Sequence, residues 1–228
     1  MKRLLDATAA AAGLLVLAPV IGLAVLASRR STGLSGLFRQ QRVGRGGQAF
    51  EVLKVRTMRD VPGVTTCVTA DGDPRITRLG HWLRKTKIDE LPQLWNVLRG
   101  EMSLVGPRPD VPRQLALLTP ADRAALLDMR PGVTGPASLK YRREEELLAA
   151  SGDPQRLNDE VFWPDKVRIN LEYARNWSLL GDLRLIAATA LSHGMAPLPP
   201  AAVPFTADCP AADRDQVDRH TAAPRKAA

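Results

Sequence analysis

The first thirty residues form an apolar stretch that predicts one long helix. Two basic pairs, Lys2-Arg3 and Arg29-Arg30, flank it, and the 22 residues from Ala7 to Ser28 carry no charge. A bilayer span needs about 20 apolar residues, so this length is sufficient. A basic pair followed by an apolar run is also the pattern of a secretory signal peptide.

Two features favour a third interpretation. Pro19, near the middle of the stretch, removes a backbone hydrogen bond and is expected to kink the helix. The positive-inside rule places both basic pairs on the cytoplasmic side. A helix that enters the membrane, bends at Pro19 and returns to the same face satisfies both ends, provided that the freed carbonyl is satisfied locally. We therefore predict a re-entrant, kinked membrane helix over residues 1–30, with a single tilted span as the alternative.

The next pattern alternates with a period of two and predicts a β-hairpin over residues 37–58. A Gly-Arg-Gly-Gly turn signal separates two short alternating runs. The period places Phe50, Val52, Lys54 and Arg56 on one face of the second strand. Residues 60–75 show no periodicity and are predicted to be a loop.

Helical periodicity dominates the remainder. Residues 75–85 are amphipathic, with Leu79, Trp82 and Leu83 on one side and basic residues around them. Such a helix either packs on the protein core or lies in a lipid headgroup layer. Further helices are predicted over 88–98, after an N-cap at Thr119, and over 138–154 and 158–192.

The pattern as a whole predicts an α+β fold that is mainly α, with a small β-hairpin and amphipathic helices. It divides the chain into a membrane helix over 1–30, a cytoplasmic domain over 31–193 and a disordered Pro/Ala-rich tail over 194–228.

Composition narrows the class of partner. The formal net charge of +8 and the pI of about 10.1 indicate anionic partners such as nucleic acid, anionic lipid or phosphorylated substrates. Aromatic residues make up only 4% of the chain, and no nucleic-acid-binding motif is present, so we expect no nucleic-acid partner. Cys67 and Cys209 are far apart in the sequence, and neither has a metal-ligand neighbour at useful spacing, which argues against a zinc site or a disulfide scaffold.

Asp89 and Glu90 stand side by side where a helix begins. Pro92 is tolerated only in a first helical turn, so the helix is expected to start near Asp89. Asp89 is then either the N-cap or the acidic residue of a capping box opened by Thr86. Capping alone would explain one carboxylate.

Two adjacent carboxylates repel each other and are usually offset by cations or a metal ion. The candidate cations are Lys54, Arg56 and Arg108. Arg108 lies between two prolines that restrict its backbone, and its planar guanidinium suits a phosphate. An ionised carboxylate, Mg²⁺ and several cations suit phosphoryl transfer, in which an aspartate can attack phosphorus.

The order of motifs resembles that of the bacterial sugar transferase family, the small monotopic phosphoglycosyl transferases. The resemblance covers roughly residues 1–192. The motifs are the basic-flanked apolar segment, QQRVGRGGQAFEVLKVRTM, DGDPRITRLGHWLRK, KIDELPQLWNVLRGEMSLVGPRP, RPGVTG and NWSLLGDLRLI.

The resemblance implies transfer of a sugar-1-phosphate from a nucleoside-diphosphate sugar, such as a UDP-sugar, to polyprenyl (undecaprenyl) phosphate. It makes Asp89 the nucleophile and Glu90 its catalytic partner, with Mg²⁺ required and these two carboxylates as its ligands. Lys54 and Arg108 match phosphate-handling positions. It also implies a monotopic protein at the bacterial cytoplasmic (inner) membrane, with interfacial helices and an active site on the cytoplasmic face.

The expected partners are polyprenyl phosphate, the nucleotide sugar, membrane lipid and downstream glycosyltransferases. The product would initiate exopolysaccharide, O-antigen, capsule or glycoprotein glycan assembly. The alternative is a non-catalytic, membrane-anchored adaptor. Three departures from the family pattern are Ala18 where many relatives have Ser, PASLKYRREEE after RPGVTG, and Asn170 where many have Asp. The donor therefore cannot be carried over from the family.

Overall fold

The described part of the chain forms ten α-helices and four strands. The computed structural model describes residues 1–62, 69–110 and 112–191, without the side chains of residues 112 and 113. Cys67, Cys209 and the predicted tail over 194–228 lie outside these ranges. The elements are α1 (Lys2–Thr32), β1 (Leu37–Val43), β2 (Ala49–Val55), α2 (Arg78–Lys85), α3 (Gln93–Arg99), β3 (Ser103–Val105), α4 (Pro112–Ala116), α5 (Pro120–Leu127), β4 (Gly132–Thr134), α6 (Pro136–Lys140), α7 (Glu144–Ala149), α8 (Pro154–Leu157), α9 (Trp163–Arg175) and α10 (Leu179–Leu191). The prediction of a mainly helical α+β fold is confirmed.

The predicted hairpin is confirmed. Strands β1 and β2 pair antiparallel, from Leu37 opposite Val55 to Val43 opposite Ala49. Val52 and Val55 are buried and pack against the helices. A second, parallel pair joins β3 to β4, with Ser103 opposite Gly132. Strand β2 carries Lys54 and the segment after β3 carries Arg108, so the hairpin and the parallel pair bring these two residues to one region.

Helix α1 is one continuous helix that runs through Pro19. Small residues line the side that contacts the domain: Ala10 packs with Val97, and Ala24 packs with Val55. The opposite side is apolar and uncovered, with Leu15 81% exposed. Among the described residues, α1 is the single helix long and apolar enough to cross a membrane. Small residues allow the helix to approach the domain closely, while its large apolar side chains point away from protein.

Both ends of α1 are bonded to the same folded body. Near the start, the Arg3 guanidinium donates to the Leu98 carbonyl at 2.7 Å, and Asp6 accepts from the Ser103 hydroxyl at 2.8 Å. Near the end, the Ser28 hydroxyl donates to the Arg56 carbonyl. The two basic ends of α1 therefore lie against one folded body.

The predicted helix starts are partly confirmed. Thr119 caps α5, accepting from the Asp122 amide at 3.2 Å. Helix α2 was predicted either to pack on the protein core or to lie in a lipid headgroup layer. Its Leu83 is buried in the core, whereas its Trp82 is 53% exposed. The helix after Asp89 begins later than predicted, at Gln93.

Candidate active site

The carboxylate pair lies in a 3₁₀ turn, Ile88–Glu90, between α2 and α3. Neither predicted cap forms. The Thr86 hydroxyl donates back to the Trp82 carbonyl at 2.9 Å, and no cap hydrogen bond reaches the Asp89 side chain in this turn. Pro92 adopts helical angles directly before α3 and so restricts the start of that helix. Capping therefore does not account for Asp89.

Asp89 is a buried carboxylate, and no described hydrogen bond to its Oδ1 offsets the free-energy cost of its burial. The residue is 6% exposed, and its Oδ1 has no hydrogen-bond partner among the described residues. Burial, and then the charge of Glu90, raise the pKa of Asp89 to about 6, against the opposing effect of Lys54. Native proteins rarely leave such an atom unsatisfied unless it serves a ligand or a reaction. The Asp89 carboxylate is therefore available to a ligand or a reaction, since no described residue donates to its Oδ1.

The pKa of Glu90 is shifted in the opposite direction to that of Asp89. Lys54 Nζ lies 2.9 Å from Glu90 Oε1, and Arg108 Nη2 lies 3.8 Å from the same atom. Burial alone would raise the pKa of Glu90, but the two cations outweigh burial and hold it below its usual range. Glu90 therefore stays ionised while Asp89 titrates near neutrality, so adjacent carboxylates have distinct environments.

Asn96 joins α3 to the second strand of the hairpin. Its side chain accepts from the Leu53 amide at 3.1 Å and donates to the Glu51 carbonyl at 2.7 Å. The residue is 1% exposed. Lys54 therefore has a defined position relative to α3. The sequence patterns did not identify Asn96 as a site residue. The signal that could have identified it is an amide side chain within the apolar face of a predicted helix.

Close backbone contacts position Arg108. The Gly106 amide donates to the Thr134 carbonyl at 3.0 Å, and the Gly132 amide donates to the Pro107 carbonyl at 2.8 Å. A Cβ on Gly132 would lie 2.1 Å from the Gly106 nitrogen. The GPRP and RPGVTG motifs thus pack backbone against backbone, which only glycine permits at this distance. Arg108 projects from this turn with its side chain 47% exposed.

The predicted phosphate cations do not all meet. Lys54 and Arg108 converge on Glu90, but Arg56 is engaged elsewhere. Its Nε donates to the Ser35 carbonyl at 2.7 Å, and its guanidinium lies 5.2 Å from the Phe38 ring centroid. Arg56 therefore binds the segment after α1 in this structure.

The segment that departs from the family pattern is tied to two helices around the site. Lys140 and Tyr141 both bond to buried Asp165 of α9, each at 2.6 Å. Glu145 contacts Arg84 of α2 at 3.3 Å. Asn170, the third departure, is buried, and its Oδ1 has no hydrogen-bond partner in the described ranges. The substituted segment is thus a structural bridge between α9 and α2.

The side chains available as metal ligands limit which kind of metal site the protein can form. Within the described residues, no cluster of three or more His, Cys, Asp or Glu side chains could enclose a metal ion. Mg²⁺, however, is commonly held by one or two carboxylates together with substrate phosphates. The unpartnered Oδ1 of Asp89, next to Glu90, fits such an open site.

A buried carboxylate pair faced by Lys54 and Arg108, beside a long uncovered apolar helix, is typical of a membrane-associated enzyme for phosphorylated substrates. The sequence model described as bacterial sugar transferase matches residues 1–194. The chain belongs to this family.

Curated relatives agree. The undecaprenyl-phosphate glucose phosphotransferase of Komagataeibacter xylinus is 41% identical over 195 residues, which cover 82% of this chain and 35% of that protein. The UDP-glucose:undecaprenyl-phosphate glucose-1-phosphate transferase of Caulobacter vibrioides is 39% identical over 196 residues, or 84% of this chain and 68% of that protein. The exopolysaccharide production protein ExoY of Rhizobium meliloti is 36% identical over 215 residues, which cover 85% of this chain and 87% of that protein. This chain thus spans about a third of the first relative and most of the third.

Proposed function

We propose that the protein transfers a sugar-1-phosphate from a nucleoside-diphosphate sugar to undecaprenyl phosphate or a similar polyprenyl phosphate. The observation that carries this proposal is the buried Asp89 carboxylate, whose Oδ1 has no hydrogen-bond partner among the described residues, beside a Glu90 held by Lys54 and Arg108. The names of the Caulobacter and Komagataeibacter relatives support the acceptor, and the name of ExoY supports a role in exopolysaccharide production.

The chemistry proceeds in two displacements. A carboxylate oxygen of Asp89 attacks the β-phosphorus of the donor, and the bond to the α-phosphate oxygen breaks, which releases nucleoside monophosphate. A phosphate oxygen of the lipid then attacks the same phosphorus and expels Asp89, giving the polyprenyl diphosphate sugar. Lys54 and Arg108 stabilise the negative charge on the transferring group, the kind of contribution that dominates phosphoryl transfer.

Glu90 keeps these two cations in place as an ionised partner. We further propose that Asp89 and Glu90 would hold Mg²⁺, which would supply additional neutralisation of the phosphate charge.

A direct test uses purified protein in detergent with labelled nucleotide sugars and polyprenyl phosphate. We expect label in the lipid fraction and release of nucleoside monophosphate. A panel of donors would identify the sugar. A protein that binds membranes but transfers no label from any donor would favour the alternative, a non-catalytic adaptor that recruits downstream glycosyltransferases.

The pH dependence follows from Asp89. The pKa of its carboxyl is about 6, and only the ionised form can attack phosphorus. We expect kcat/KM for the donor to be constant above this pKa and to fall about tenfold per pH unit below it. Stopped assays of nucleoside monophosphate release between pH 4.5 and 8 would measure this, and a profile flat down to pH 4.5 would contradict the assigned nucleophile.

We also propose that α1 is re-entrant, so that the protein is monotopic in the bacterial cytoplasmic membrane with its site on the cytoplasmic face. The contacts at Arg3 and Ser28 support this, because both ends of α1 join one folded body. A bilayer core of about 30 Å would separate them in a simple span. The uncovered face of α1 would then contact membrane lipid.

Cysteine labelling tests this topology. In a Cys67→Ser, Cys209→Ser background, a cysteine inserted after Met1 should resist an impermeant maleimide in intact cells and react after lysis. Pro19→Ala restores a helical hydrogen bond, favours a spanning helix, and should increase labelling from outside. A cysteine in place of exposed Arg156 reports the domain side. Full labelling of the N-terminal cysteine in intact cells would rule out re-entry.

A further inference from the structure

Lys87 has an unusual backbone conformation immediately before the carboxylate pair. Its φ of 58° is the one positive value at a non-glycine residue in the described ranges. The residue follows α2, and its amide donates to the Arg84 carbonyl at 3.1 Å. This left-handed position after a helix is normally taken by glycine or asparagine, because a longer side chain is strained there. The helix end alone therefore does not explain a lysine.

The ammonium group of Lys87 has no hydrogen-bond or ion-pair partner in the part of the chain that the structure describes. The side chain is also exposed. The other cations around the site each have a carboxylate partner: Lys54 and Arg108 face Glu90, and Arg84 contacts Glu145 through Nη2, although its buried Nη1 has no partner among the described residues. Lys87 also lowers the pKa of both Asp89 and Glu90, which places its charge close to the two carboxylates.

The position of Lys87 is fixed from both sides. Before it, α2 packs through Leu83 on Ala24 and Val55. After it, the Glu90 amide donates to the Lys87 carbonyl at 3.2 Å, which closes the turn that carries Asp89. Ile88 packs against the same cluster as Ala24 of the membrane helix α1. The lysine is thus held between the membrane helix and the nucleophile.

We propose that Lys87 is a further substrate-binding residue, whose ammonium group binds a substrate phosphate at the opening of the Asp89–Glu90 site. This inference rests on the proposed function. Strained backbone at an otherwise unexplained position is often found where a side chain serves a ligand. The phosphate could belong to the donor diphosphate or to the lipid acceptor, which share the same chemistry and enter different half-reactions.

The variant Lys87→Asn separates structure from function. Asparagine tolerates the left-handed conformation, so we expect the melting temperature to stay unchanged or rise by roughly 2–4 °C. Loss of the charged contact should nevertheless lower kcat/KM about tenfold, through a higher KM for one substrate. Lys87→Arg should retain most of the activity. A merely structural lysine would predict improved stability with unchanged kinetics.

Lys85→Asn is the matched control. Lys85 is exposed at the end of α2 and is not among the principal charges acting on Asp89 or Glu90, so this variant removes one positive charge two residues before Lys87. We expect its kinetics to match those of the wild type. An equal loss in both lysine variants would mean a general surface-charge effect and would overturn the proposal.

The two half-reactions identify the phosphate. A slower release of nucleoside monophosphate from donor alone assigns Lys87 to the donor diphosphate. Normal release with a raised KM for polyprenyl phosphate assigns it to the acceptor. Wild-type values in both steps for Lys87→Asn would refute the assignment while leaving the proposed function intact. A wild-type protein that releases no nucleoside monophosphate at all would refute the proposed function itself.

Discussion

Asp89→Asn is expected to abolish turnover and stabilise the fold. An amide cannot attack phosphorus, so activity should fall by roughly 10⁴-fold or more, as when other enzymes lose a nucleophile. The pKa of Asp89 is about 6 rather than 3.8, so ionising this buried carboxyl at neutral pH works against folding. The difference corresponds to as much as about 3 kcal/mol, and a neutral amide of the same shape removes it.

The sign of this effect can be checked with pH. Because the folded-state pKa lies above the unfolded value, the native protein binds the proton more tightly. The destabilisation is complete above about pH 6 and disappears as the pH falls to 3.8. The stability gap between Asp89→Asn and wild type should therefore close over that range in thermal melts. An active Asp89→Asn enzyme would exclude the covalent route.

Covalent capture completes this test. Enzyme quenched after incubation with donor alone should carry a phospho-sugar on the peptide that contains Asp89. Glu90→Gln offers the comparison, because it removes the ionised partner of Lys54 and Arg108 while retaining Asp89, the proposed nucleophile. We expect slow but detectable capture in Glu90→Gln and none in Asp89→Asn. Adduct at equal levels in both variants would contradict the role of Asp89.

Arg108→Ala is expected to give the second largest effect. The side chain is 47% exposed and lies 3.8 Å from Glu90, so it contributes little to packing and remains accessible to a phosphate. Removing one charge-stabilising donor from a transition state typically lowers kcat by roughly 10²–10³-fold. Lysine at this position should restore little, because a single ammonium group cannot reproduce the planar fork.

The control for Arg108 is an arginine far from the site. Arg156→Ala removes an exposed ion pair with Glu160 at 2.9 Å, and we expect unchanged turnover. Thermal melts should place both arginine variants within about 1 kcal/mol of wild type. Near-wild-type turnover in Arg108→Ala would remove this residue from the phosphate site.

Much of the fold and part of the site could be predicted from the sequence. The hairpin and the Thr119 cap follow from residues a few positions apart, so local signals determine them. The long apolar helix follows from composition alone. Asp89, Glu90, Lys54 and Arg108 were identified by residue type and motif order. The structure brings these four residues together, with both cations directed at Glu90.

Only the tertiary structure decided how the carboxylates behave. Sequence spacing made Asp89 a helix cap, whereas the Lys87 turn and Pro92 delay α3 until Gln93. Oδ1 of Asp89 is buried without a partner because the elements around it, within the described ranges, cover it without supplying a hydrogen-bond donor. Local propensity contains no information about that burial.

The contacts of Arg56 and Asn96 were likewise decided by the tertiary structure. Strand periodicity placed Arg56 on the face of Lys54, but it could not show that the Ser35 carbonyl would bind its guanidinium. Nor could it show that Asn96 would join α3 to β2 across 43 residues of sequence. The chain by itself determines which residue types and local elements are present. Their charges and hydrogen bonds depend on partners distant in sequence, because burial and electrostatic energies act through space.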